Sequence, residues 1–230
     1  MKKTITILTL AITLLLPSAA NGSSQIESSR MKTLLIEVYN QYPWGSNEWL
    51  GTATAVMLND GYVLTVNHVI GEESPYKKYS LTTFDGKVYY GELVKTNKRH
   101  DLALLKIDED REGFSISKVN PYVKQSVYTV GNPIGFSYWS VREGTVLEIG
   151  AIRRSVNDDL YYGNMTSIKT HSGNSGGALI NDLGELVGII RSTDGVNSYA
   201  IMLEDIKEFL ITEYTHIAHQ NKEEYQDDKS

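Results

Sequence analysis

Short apolar runs of strand length, each closed by a turn signal, recur from Leu34 to Met202, and no other feature of this 230-residue sequence restricts its fold as much. One set covers 34–39, 53–58, 62–65, 79–84, 88–95 and 102–107; a second covers 126–130, 139–149, 161–169, 178–180, 186–190 and 199–202. Runs rich in β-branched and aromatic residues at this spacing read as strands of an all-β barrel or sandwich. Asn59-Asp60-Gly61, Asp85-Gly86 and Asp182-Leu183-Gly184 supply the residues that tight hairpin turns demand. Between the sets, 109–122 carries charges, Gly113 and Pro121, and reads as a seam. Leu203, Ile206, Phe209, Leu210, Tyr214 and Ile217 instead recur at helical spacing, which predicts a closing helix over about 203–218 packed on the second set. No long-period repeat is legible.

The chemistry centres on Ser175 in Gly173-Asn174-Ser175-Gly176-Gly177. Glycines permit the backbone angles and close approaches that present a serine Oγ on a tight turn. The backbone N–H groups of Gly173 and Ser175, with Asn174 between them, could converge on the oxygen that becomes negative when Ser175 attacks a carbonyl. An ordinary glycine-rich hairpin loop is the plain alternative. A serine hydroxyl also needs a base, and the base needs a group to orient it. His68 closes the run 61–70, and Asp101 opens the run 100–107. A carboxylate entering an apolar strand is costly to bury unless a donor such as an imidazole N–H receives it. A core histidine and a strand-capping aspartate are the plain alternatives here. His100 and His171 are rival bases in no motif that explains their position.

Leu64-Thr65-Val66-Asn67-His68-Val69, Asp101-Leu102-Ala103-Leu104-Leu105-Lys106-Ile107, Gly131-Asn132-Pro133-Ile134-Gly135 and Gly173-Asn174-Ser175-Gly176-Gly177 resemble, in that order, four motifs of the chymotrypsin-like serine peptidases. The sequence is most similar to the HtrA-type and glutamyl-endopeptidase-type bacterial branches, over roughly 34–210. The resemblance implies two six-stranded Greek-key β-barrels, over 31–118 and 119–219, with a C-terminal α-helix in the second. It implies an active site in the cleft between them, with His68 as general base, Asp101 as its orienter, Ser175 as nucleophile, and Gly173, Asn174 and Ser175 around the oxyanion. The implied activity is a serine endopeptidase acting on proteins or peptides through an acyl-enzyme, without a cofactor. A non-catalytic or latent peptide-binding or adhesion protein on the same fold is the alternative.

The same resemblance places Thr170, Ile190, Arg191 and Thr193 around the substrate pocket. Thr170 stands where glutamyl endopeptidases have a pocket threonine, which points to an acidic side chain before the cut. Ile190 stands where those enzymes place the histidine that meets the glutamate. Lys169 or Arg191 could supply the charge instead, although on alternating strands a solvent-facing role is the plain reading; a small aliphatic preference is the other possibility. Asn174 replaces the aspartate that pairs with a new N-terminus in trypsin-like zymogens. No switch of that kind is expected, so the loop is ordered some other way or is mobile. The polar remainder 220–230 leaves no room for a PDZ-like domain, which removes the expectation of HtrA-style peptide sensing and caged assembly.

Lys2 and Lys3, the apolar stretch 5–16 and Pro17-Ser18-Ala19-Ala20 read as an export signal over 1–20, cleaved after Ala20. A secreted or periplasmic protein with no stable membrane anchor after cleavage is expected, with a flexible lead-in over 21–30. The sequence has no cysteine, which excludes disulfides, a thiol nucleophile and lipoprotein attachment. Its net charge of −6 gives no footprint for nucleic acid. His216 and His219 are three apart on the expected helix but lack a third ligand for a metal. No glycine-rich loop opens a helix as phosphate binding requires. Asn21 and Asn164 match the glycosylation pattern by chance in a bacterial reading, and Tyr76, Tyr79, Tyr89 and Tyr90 read as barrel packing.

Overall fold

Each of the apolar runs becomes a strand in the computed structural model, which describes residues 19–154 and 160–211. The first six are β1 (Thr33–Gln41), β2 (Asn47–Met57), β3 (Tyr62–Thr65), β4 (Lys77–Thr83), β5 (Val88–Asn97) and β6 (Leu102–Lys106). The second six are β7 (Ser126–Gly131), β8 (Ser140–Arg154), β9 (Leu160–Thr166), β10 (Ala178–Ile180), β11 (Leu186–Thr193) and β12 (Ser198–Ile201). They form two closed antiparallel barrels, ordered β1-β2-β3-β6-β5-β4 and β7-β8-β9-β12-β11-β10. Pairing of β1 with β4 and of β7 with β10 completes each ring, so neither barrel exposes a free edge. The two strand orders are identical. The duplication invisible in the residues is thus present in the topology.

Side chains alternate faces along a strand, and here both faces of several strands are buried. Ala53, Ala55 and Met57 of β2, Val63 of β3, and Ala103 and Leu105 of β6 fill the first barrel. Val56, Leu64, Leu102 and Leu104 point the other way and meet Ala178, Ile180, Leu186, Ile189 and Ile201 of the second barrel in one buried cluster. This seam explains why β3 and β6 are almost continuously apolar. The connection between barrels is bonded to both: Phe114 N donates to Met57 O at 2.8 Å, and Ser117 N to Leu186 O at 3.0 Å. Gly113 is required there, because a Cβ would lie 2.1 Å from the Leu58 carbonyl carbon.

Two helical segments modify the expectations. Helix α1 (Ala19–Met31) spans the whole of 21–30, the stretch expected to be a flexible lead-in. It is held to the body at its C-terminal end, where buried Ser29 bonds back to Gln25 O at 2.8 Å and Thr33 Oγ1 donates to Ser29 O at 2.9 Å. A short turn, α2 (Asn67–Ile70), follows β3, and residues 203–211 form α3. Ile206, Phe209 and Leu210 of α3 enter the seam itself rather than packing on the second barrel alone. The Lys95 ammonium of β5 donates to Phe209 O at 2.6 Å and lies 4.5 Å from the Phe209 ring centroid, so α3 clamps both barrels. No described helix is long and apolar enough to cross a membrane. The expected export signal falls mainly on 1–18, and the tail 220–230 entirely, outside the described residues. Of the four tyrosines, Tyr79 and Tyr89 pack with the first-barrel core, whereas Tyr90 is exposed and Tyr76 joins Tyr42 and Trp44 in a surface aromatic group. Burial pushes the Tyr79 hydroxyl up to about 12.

If the seam couples the barrels, Leu104→Ala should lower the unfolding free energy by about 2–5 kcal/mol in urea denaturation. Val119→Ala, at a site 71% exposed, should change it by less than about 0.5 kcal/mol. Equal effects at the two positions would contradict this account of the seam.

Candidate active site

His68 sits on α2, directly after β3 dives into the seam. Gly71 ends the turn at φ 67° and ψ −161°, a region open essentially to glycine alone, and donates its N–H to Asn67 O at 2.9 Å. Asp101 occupies the turn before β6 at φ 56°, a conformation aspartate tolerates better than most side chains. Its main-chain carbonyl accepts Asn67 N–H at 3.0 Å. Its carboxylate receives two hydrogen bonds and one ion pair. Oδ1 accepts the His68 backbone N–H at 2.8 Å and Oδ2 accepts His68 Nδ1 at 2.8 Å, while Arg191 Nε lies 3.0 Å from Oδ2 as an ion pair. Asp101 is 7% exposed and His68 47%. With Nδ1 donating to the carboxylate, Nε2 of the neutral ring is left as the acceptor.

Arg191 joins this pair to the serine. Its guanidinium stacks over the Tyr161 ring at 3.7 Å, and its backbone carbonyl accepts the Ser175 hydroxyl at 3.3 Å. Ser175, Arg191, Asp101 and His68 therefore form one connected chain. The Ser175 hydroxyl in this arrangement is turned to the Arg191 carbonyl, not to the imidazole.

The loop bearing Ser175 is held through its carbonyls. Ser172 O accepts from Ile134 N at 2.8 Å, Gly173 O from Thr54 Oγ1 at 2.7 Å, Asn174 O from Gly177 N at 2.9 Å and Ser175 O from Thr54 N at 3.0 Å. A planar trans peptide points its N–H opposite its C=O. Fixing the carbonyls of Ser172 and Asn174 thus aims the N–H groups of Gly173 and Ser175, and neither has an acceptor among the described residues. Gly173 and Gly176, at φ 94° and 85°, cannot be larger: a Cβ would lie 2.3 Å from Asn132 O and 2.0 Å from Thr54 O. Two N–H groups beside a serine that have no acceptor among the described residues are the donors an oxyanion needs.

Asn174 does not join that pair. Its N–H goes to His171 O at 3.1 Å and its Nδ2 to the same carbonyl at 3.2 Å, inside the loop. The rival histidines are engaged elsewhere: His100 pairs with Asp205 at 2.9 Å, and His171 stacks on Phe136 at 4.6 Å. His216 and His219 lie outside the described residues. Asn164 is buried, which argues against its modification. Around the expected pocket, Thr170 is buried, Ile190 belongs to the second-barrel core and Lys169 is exposed. Thr193 Oγ1 donates to Asn197 O at 2.7 Å in the turn after β11. The neighbouring Asp194 is held down to about 2 chiefly by the backbone N–H groups of Asn197 and Val196. The positive charge that the sequence offers to an acidic substrate through Arg191 is thus already taken by Asp101.

Sequence reasoning missed Thr54 and gave Asn132 no role. Asn132 is fully buried; its N–H donates to Thr54 Oγ1 at 2.9 Å, its Nδ2 to Leu34 O at 2.9 Å, and its Oδ1 accepts Trp139 N–H at 2.9 Å. A signal for Thr54 existed. It is a polar residue on the β2 face whose other members, Val56 and Leu58, lie in the seam.

The model of a trypsin-like peptidase domain matches residues 51–189. The chain is 35% identical over 188 residues to a probable periplasmic serine endoprotease, DegP-like, of Marinomonas sp. (strain MWYL1), a match covering 75% of this chain and 38% of that protein. It is 36% identical over 138 residues to the serine endoprotease DegS of Haemophilus influenzae, covering 58% and 39%. It is 33% identical over 155 residues to the periplasmic serine endoprotease DegP of Escherichia coli (strain K12), covering 64% and 31%. The chain thus spans between 31% and 39% of the length of these three relatives.

Removing the guanidinium by Arg191→Met leaves Asp101 with two donors, both from His68. Stability should fall by about 1–3 kcal/mol, the cost of withdrawing a partner from a buried charged acceptor. Urea denaturation at neutral pH reads this directly, and an unchanged midpoint would mean that the ion pair contributes nothing.

Proposed function

The chain belongs to the trypsin-like peptidase family, and on that premise we propose that it is an exported serine endopeptidase working through Ser175, His68 and Asp101. The observation that carries the reading is a buried carboxylate holding His68 Nδ1 at 2.8 Å, joined through Arg191 to a serine flanked by two unpaired N–H groups. In the proposed reaction the Ser175 hydroxyl leaves the Arg191 carbonyl and turns to His68 Nε2. Such bonds are often loose without substrate and tighten only on binding. His68 removes the proton as Oγ bonds to the substrate carbonyl carbon. The oxygen that becomes negative is received by Gly173 and Ser175 N–H. The imidazolium, held by Asp101, gives its proton to the amide nitrogen as the C–N bond breaks, leaving an acyl-enzyme. Water then attacks the acyl carbon, losing a proton to His68, and His68 gives that proton to Ser175 Oγ, which departs as the alcohol and leaves the carboxylic acid product. Export is supported by the basic, apolar and small-residue order of 1–20 and by relatives named as periplasmic.

The side chain before the cut is proposed to be small and aliphatic rather than acidic, because Ile190 is part of the core and the Arg191 guanidinium is paired. A peptide library is expected to show cleavage after residues such as valine or alanine; cleavage confined to glutamate or aspartate would reverse this assignment.

Intact-mass spectrometry after exposure to a fluorophosphonate tests the activity itself. One adduct, on Ser175, is expected. It should be absent in Ser175→Ala and form at least about a thousandfold more slowly in His68→Ala, since the serine and its base act as a unit. A folded wild-type protein that stays unlabelled would overturn the catalytic reading.

A further inference from the structure

The geometry points to Thr54 as the residue that sets the oxyanion loop, acting from the opposite barrel as a positioning residue. This rests on the reading of Ser175 as nucleophile. Thr54 is fully buried on β2 and faces across the seam. Its hydroxyl donates to Gly173 O at 2.7 Å and accepts Asn132 N–H at 2.9 Å; its backbone N–H donates to Ser175 O at 3.0 Å; its carbonyl accepts Thr65 Oγ1 at 2.8 Å. One residue of the first barrel therefore holds the carbonyls of both residues whose N–H groups are free.

The loop supplies little of this order itself. Its internal bonds are those of Asn174 to His171 O and of Gly177 to Asn174 O. They close two small turns but do not fix the peptide between Gly173 and Asn174 relative to the cleft. That peptide is held from both sides, its N–H by His171 O within the loop and its C=O by the Thr54 hydroxyl, which alone ties it to the first barrel. Without the hydroxyl, only the bond to His171 O inside the loop holds the plane, and the loop loses its side-chain tie to the first barrel at a glycine whose backbone is the most permissive of any residue. The Gly173 N–H itself belongs to the preceding peptide, which Ile134 N–H holds through Ser172 O, so loss of the hydroxyl reaches it through the Gly173 Cα, as a shift of the loop on which both free N–H groups ride. Asn132 extends the clamp by tying Thr54 Oγ1 to β1 through Leu34 O. Thr65, three residues before His68, grips the Thr54 carbonyl. The same strand register thus sets the loop of the nucleophile and the approach to the base.

Thr54→Val keeps the shape and the backbone N–H but removes the hydroxyl. With peptide substrate, kcat is expected to fall on the order of 10- to 100-fold, as misplacement of a reacting group by about an ångström does, with KM nearly unchanged. A peptide boronate, whose tetrahedral adduct uses the same N–H groups, should lose affinity by the same factor as kcat/KM, while Thr54→Ser should restore both to within about threefold. Should the valine variant not fold by near-UV circular dichroism, Thr54→Cys, a weak donor of similar size, takes its place, with a loss of about tenfold expected. A folded valine or cysteine variant with wild-type kcat and boronate affinity overturns the inference. So does a rise in KM with kcat unchanged. Failure of the wild type to form a Ser175 adduct overturns the catalytic reading and this inference together, and is distinguished from failure of the inference alone by the wild-type control.

Discussion

The apolar seam between the barrels is the constraint on which the polar geometry depends. Each of the three proposed catalytic side chains lies within three residues of a fully buried seam residue: Val66 before His68, Leu102 after Asp101 and Ala178 after Ser175. The seam is non-directional in its energy, since burial of apolar area has no preferred angle. Direction comes from strand register. Pairing of β3 with β6 sets Thr65 opposite Ala103, which brings the two chain ends that carry His68 and Asp101 side by side. The carboxylate can then reach the imidazole and its backbone N–H together.

A polar layer crosses this apolar interface. Thr54, Thr65 and Asn132 are fully buried, and each uses its side chain to satisfy a backbone group. Buried hydroxyls and amides are tolerable because every partner is met, and a network met in this way specifies one arrangement where apolar packing alone would accept several. In a chain without cysteine, no disulfide can pin the nucleophile loop. Hydrogen bonds to carbonyls do so here, and they act at the atoms whose direction matters.

Much of this was legible in the sequence. Short apolar runs of strand length and turn residues predicted every strand, because strands that line a closed barrel, several of them buried on both faces, must be largely apolar and must turn sharply between neighbours. His68, Asp101 and Ser175 stood out because a carboxylate at the head of Leu102–Leu105 and a serine among glycines have few inexpensive structural explanations. Three features were not legible. Helix α1 follows a sequence with almost no apolar stripe, and it packs against β1 and β7 with Ser29 buried, which no local pattern encodes. The reach of α3 into the first barrel depends on Lys95, more than a hundred positions away. The direction of Arg191 depends on a carboxylate ninety residues distant, whereas strand alternation alone gave only solvent or pocket as choices.

Arg191 shows how one residue can close off one chemistry while supporting another. An arginine beside an oxyanion site would ordinarily be a candidate for binding a substrate carboxylate, because its fork matches that group. Here Nε is on Asp101 and the ring of Tyr161 covers the guanidinium plane. Moving it to a substrate would uncover a carboxylate that is 7% exposed, and the penalty for a buried charge that loses a partner exceeds the gain from a new surface pair. The guanidinium therefore stays, and the carboxylate that orients His68 is gripped from two sides: by the first barrel through His68, and by the second through Arg191. The backbone of the same arginine offers the carbonyl on which the Ser175 hydroxyl rests. A shift of β11 relative to β6 would disturb Asp101 and Ser175 at once, which ties the proposed chemistry to the docking of the two barrels rather than to either barrel alone.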